Sequence, residues 1–71
     1  MTDSRMKLNT MLEYWVRHNQ EHEQEFRAGA ANAATFSAHA AEQLIQAADK
    51  MAEANGLLAE ARKALAQGRE V

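Results

Sequence analysis

Apolar and polar positions over residues 4–34 alternate at helical spacing. Set Trp15 at zero and advance about one hundred degrees per residue. Leu8, Met11, Leu12, His18, Asn19, His22, Phe26, Gly29, Ala30 and Ala33 then fall within about sixty degrees of it. Glu13, Arg17, Gln20, Gln24 and Arg27 fall on the far side. The pattern predicts an amphipathic helix over residues 4–34, with Asp3 or Ser4 as its cap. Thr10 and Glu13 also make a capping-box pair, which would suit a start near residue 11. Leu8 already lies on the stripe, so the earlier start is preferred.

The pattern changes at "ATFSAH". Thr35 and Ser37 can each cap a second helix, and Phe36 between them can plug the turn. Gly29 is a competing break, but the alanine-rich run around it favours helix, so the turn is placed at residues 34–37. The second helix is expected over residues 37–67, closed by Gly68 just past its end. Its stripe is Ala40, Leu44, Ala47, Met51, Ala54, Leu58, Ala61 and Leu65, a repeat of threes and fours. A second stripe flanks it through Ala41, Ile45, Ala48, Ala52, Ala59 and Ala66. Asp49, Lys50, Glu53, Glu60 and Lys63 take the solvent side.

These elements make an all-α antiparallel hairpin, treated as one domain over residues 1–71. The absence of proline and the abundance of Ala, Glu, Gln and Leu suit two long helices. A chain of 71 residues struggles to bury an adequate core and usually needs disulfides, metal or oligomerisation. Cysteine is absent, so disulfides and thiolate sites are excluded. The apolar arc of the second helix is wider than one partner helix covers. Both facts point to a homodimer forming a four-helix bundle.

The histidines sit on the predicted core stripe. His18 and His22 are four residues apart, so their rings lie one turn apart on one face. Two helical histidines at that spacing can share a metal ion. Folding the hairpin at residues 35–36 brings residue 22 near residue 49 and residue 18 near residue 53. His18, Asn19, His22 and Asn55 then fall in one cross-section, with Trp15 and Met51 around it. Two readings follow. In one, the polar groups bond to each other and set register and oligomeric state. In the other, His18 and His22 hold a transition metal such as nickel, cobalt or zinc, and a two-fold dimer supplies four imidazoles. Glu21 and Glu25 lie beside the pair and could complete a mixed shell, with Asn19 orienting it. His39 is off the second stripe and joins the site only if the turn lies near Gly29 instead.

Other chemistries lack their residues. Di-iron bundles use Glu-x-x-His, whereas here the order is reversed as His18-x-x-Glu21 and His22-x-x-Glu25. No phosphate loop or nucleophile constellation occurs, so the chain is not expected to be an enzyme. Eight basic and ten acidic residues are spread along the chain for a net charge of −2, which argues against nucleic acid as partner. No signal peptide or membrane-length apolar run is present, so a cytoplasmic location and no membrane partner are expected. A protein partner docking on the second helix is the third, weaker expectation.

The run "LEYWVRHNQEHEQEFR" at residues 12–27 resembles a group of small two-helix bacterial and archaeal proteins and domains of unknown function. Their first helix carries a pattern like L-x-x-W/M-x-x-H-N-x-x-H-x-x-x-F/L. Their second carries A-A-x-x-x-x-x-A-N-x-x-L, matched by Ala47, Ala48, Ala54, Asn55 and Leu58. The resemblance spans about residues 8–65 and implies the same two-helix fold. It gives weight to His18, Asn19, His22 and Asn55. Some members follow histidine-rich tracts of the kind seen in nickel and cobalt handling. This chain has no such tract, which speaks against bulk metal storage or delivery and leaves room for a single bound ion; the resemblance itself does not say whether these residues bind metal.

Overall fold

A computed structural model describes residues 2–68. Helix α1 runs Thr2–Ala33 and helix α2 runs Ala38–Ala66, antiparallel and packed along their length. The molecule measures 52 × 19 × 11 Å, two helices wide and one helix thick.

The start of α1 differs from expectation. Asp3 and Ser4 lie inside the helix rather than capping it, and Thr10–Glu13 is mid-helix. Asp3 instead places a negative charge in the first turn, where the helix dipole favours it. The turn falls just after Ala33. Ser37 is the cap of α2: its backbone is extended, and its hydroxyl accepts from the Ala40 N–H at 3.1 Å. Thr35 takes another role, donating its hydroxyl to the Asn32 carbonyl at 2.9 Å. Phe36 does not plug the turn and is 74% exposed. The end of α2 is closed by Gly68 at φ +68°, a left-handed conformation that glycine adopts without a Cβ clash.

The main seam positions follow a heptad. In α1 they are Asn9, Leu12, Val16, Asn19, Glu23, Phe26, Ala30 and Ala33, with His22 and Gly29 half-buried at the margin of the seam. In α2 they include Ala41, Leu44, Ala48, Met51, Asn55, Leu58, Arg62 and Leu65. Steps of three and four alternate in both, so the hairpin is an antiparallel two-stranded coiled coil. Near the turn the seam is alanine: Ala30, Ala33 and Ala41 are buried, with Ala40 and Leu44 packed against them. Such small side chains let the helices approach closely. Among the described residues, Leu12 and Ala48 are the other buried apolar ones, so the core is thin.

One edge of the seam is bridged by charge. Arg27 donates to Asp49 at 3.0 Å and to Glu23 at 2.9 and 3.1 Å. Those two carboxylates, Glu23 first, hold the Arg27 guanidinium above its ordinary pKa. Arg62 reaches back to Glu13 at 2.8 Å and Asn9 at 3.1 Å. These exposed pairs add little stability each. They lie on one edge of the seam and are compatible only with the rotation of α1 that turns that edge toward Asp49 and Arg62.

Ser37→Ala removes an N-cap acceptor that no neighbour replaces at that N–H. It should lower unfolding free energy by about 1 kcal/mol in urea denaturation.

Candidate metal centre

Residues four apart on a helix stack one above another. Tyr14, His18, His22 and Phe26 have that spacing, and their rings form a continuous ladder up one flank of α1. Tyr14 and His18 stack with centroids 5.4 Å apart. His18 and His22 meet edge to face at 4.5 Å, and His22 stacks on Phe26 at 5.9 Å. Trp15 and Phe26 were the aromatics expected around the histidines. Tyr14 was missed, although its constant spacing of four from His18 marked it.

Only Phe26 of the ladder turns into the seam; the tyrosine and the histidines do not lie in the core. The His18 side chain is 47% exposed and that of His22 39%, while Trp15 lies at the seam's margin, 37% exposed. The expectation of core-facing histidines is corrected here. Val16 and Glu23, rather than Trp15 and His22, take the seam positions, because Arg27 and Arg62 bind the opposite edge. The predicted cross-section therefore separates into two parts. Asn19 and Asn55 stay in the seam. The histidines stand beside it.

The two imidazoles converge. Nε2 of His18 and Nε2 of His22 are 3.1 Å apart. His22 Nδ1–H donates to Glu25 Oε1 at 3.2 Å, which leaves its Nε2 as an acceptor. His18 Nε2–H then donates across the 3.1 Å contact. Glu21 Oε1 stands 3.8 Å from His18 Nδ1, ready to hold a proton there if the tautomer switches. Both carboxylates thus lie on the Nδ1 sides of the rings. Glu25 orients the His22 ring through its hydrogen bond, the arrangement common behind metal-bound histidines, while Glu21 at 3.8 Å is too far to hydrogen-bond His18. His39 is exposed in the first turn of α2, and with the turn after Ala33 it is not brought level with His22. Among the described residues, no group of three or more His, Asp or Glu is arranged to hold a metal ion.

A metal with bonds of about 2.0–2.1 Å to imidazole spaces neighbouring nitrogens about 2.9 Å apart at a right angle and about 3.3 Å at the tetrahedral angle. The separation of 3.1 Å between the two Nε2 atoms lies between these.

The comparisons bear on the chain as a whole. The family model for a domain of unknown function (DUF8180) matches residues 8–65. The chain belongs to that family. The DUF8180 match covers the seam, the turn and the histidine ladder together. No curated protein and no solved structure matches the chain. Among the described residues of this DUF8180 member, no helix is long and apolar enough to cross a membrane.

The seam holds the remaining polar feature of the DUF8180 hairpin. Asn55 Nδ2–H donates to the Val16 carbonyl at 3.0 Å, across the helices. This acceptor is a backbone group, so no side-chain pattern announced it. Asn55 Oδ1 is buried without a hydrogen-bond partner. An unpartnered buried oxygen costs more than the one bond returns. Asn55→Leu should therefore raise stability by about 1 kcal/mol in urea denaturation, since the Val16 carbonyl keeps its bond within α1.

Proposed function

We propose that the chain is a small, non-catalytic helical protein that oligomerises and binds one transition metal ion through His18 and His22. Nickel, cobalt and zinc are the ions that suit neutral imidazole ligands. The observation that carries this reading is the 3.1 Å approach of the two Nε2 atoms, with Nδ1 of His22 held by Glu25. Two lone pairs cannot face each other at that distance without a proton or a cation between them. Two nitrogens alone bind weakly, so the remaining ligand positions come from solvent or from another chain.

A second reading rests on Asn55. Its buried, half-satisfied amide is the kind of group that selects one register at a cost in stability. In that reading the protein is a metal-free oligomerisation or adaptor module.

Calorimetric titration of tag-free protein with nickel, cobalt and zinc separates the two. Binding to the native chain should fall at least tenfold in His18→Ala and again in His22→Ala. Absence of binding by the native chain leaves the adaptor reading. Glu25→Gln should weaken metal affinity by about tenfold, because the orienting carboxylate is lost. Glu21→Gln, whose carboxylate is farther from its ring, should have the smaller effect.

A further inference from the structure

We propose that a second copy of this chain packs on the histidine flank of α1, antiparallel to it, about a two-fold axis crossing near residue 20. This rests on the metal reading above and names what completes that site. The flank carries a heptad of its own. Leu8, Met11, Trp15, His18, His22 and Gly29 fall on steps of three and four beside the seam to α2, and Glu25 and Asn32 continue them. A helix with two adjacent heptad seams has a place for two neighbours, and α2 occupies one.

The second seam matches itself when reversed. A two-fold near residue 20 sets His18 against the partner copy's His22 and Met11 against its Gly29. Leu8, Met11 and Trp15 lie in the first half of the seam, while Glu25, Gly29 and Asn32 lie in the second. The antiparallel arrangement sets Met11 against Gly29 and Leu8 against Asn32, with Trp15 against Glu25 and His18 against His22 nearer the axis. A parallel one would stack Trp15 on Trp15 and leave gaps at Gly29.

Gly29 supports the same arrangement. Within a helix it costs about 0.5–1 kcal/mol relative to alanine. The hairpin does not require it, because an added Cβ would meet Leu44 Cδ1 at an ordinary 3.6 Å. A close approach from outside the hairpin does require a small residue there.

The open area is of the right size. Leu8, Met11, Tyr14, Trp15 and the two histidines are between 37% and 52% exposed. They leave on the order of 600 Å² on each chain, and a standard interface covers about 800 Å² per partner. The column Ala40, Ala47, Ala54 and Ala61 on the same side of α2 supplies small residues for the remainder. At the axis, four imidazoles from two chains surround one point.

The cysteine-free chain allows a direct test. Prepare Met11→Cys and Gly29→Cys chains, mix them, add nickel(II) and oxidise. The cross-link between the two variants should exceed either self-cross-link at least fivefold. Light scattering of the unaltered chain should give twice the chain mass, with one nickel per two chains. Met11→Glu should give a monomer of unchanged helicity by circular dichroism, because Met11 faces solvent in the lone hairpin. Predominant Met11→Cys self-cross-links overturn the arrangement, as does a Met11→Glu chain that stays dimeric. A monomer holding one nickel per chain also overturns it while leaving the metal reading intact. The mixed cross-link with no nickel bound overturns the metal reading and supports the α1 pairing.

Discussion

The rotation of α1 about its own axis against α2 governs the rest of the molecule. A long helix with apolar residues over a wide arc can present several faces to a neighbour. Here the face is selected by cross-helix contacts that each add little energy but have definite geometry. Arg27 to Asp49 and Arg62 to Glu13 close one edge. Asn55 to the Val16 carbonyl sets the level of one helix against the other. The alanines near the turn hold the axes close enough for these bonds to form. Once that face is chosen, the tyrosine and histidine rungs of the ladder lie on the opposite edge, and Phe26 turns into the seam.

That placement decides the chemistry available to the histidines. Inside the seam they would be surrounded by aliphatic side chains and would bond only to neighbouring polar groups. On the flank they keep solvent access, and each has a carboxylate on its Nδ1 side. Their Nε2 atoms point at one another. The same rotation leaves Leu8, Met11 and Trp15 beside them, so the potential ligands and the uncovered apolar surface share one face. A thin core of mostly alanine gives the hairpin reason to cover that surface.

Much of the fold was legible because its signals are local. The four-residue change of pattern at "ATFS" marked the turn, and Ser37 and Gly68 marked the ends of α2 through capping and backbone conformation. The seam of α2 was legible in half its positions: Leu44, Met51, Leu58 and Leu65 recur there as read, but Ala41, Ala48, Asn55 and Arg62 alternate with them instead of Ala40, Ala47, Ala54 and Ala61, because alanines on adjacent stripes carry the same apolar signal. The seam of α1 was not. Trp15, His18 and His22 are larger or more distinctive than Val16 and Glu23, and a wheel weighted by apolarity centres on them. Glu23 is tolerated at the seam's margin because Arg27, itself reaching across to Asp49, pairs with its carboxylate, an effect that no hydrophobic pattern contains.

The sequence by itself determined two helices, their turn and the four-residue spacing that stacks the histidines. These depend on backbone propensity, capping and 3.6-residue periodicity, all of which act within a few residues. Only the tertiary structure decided that the histidines flank the seam rather than fill it, and that Asn55 bonds to a main-chain carbonyl. Those outcomes depend on how one helix is turned against another, which contacts between residues far apart in the chain select.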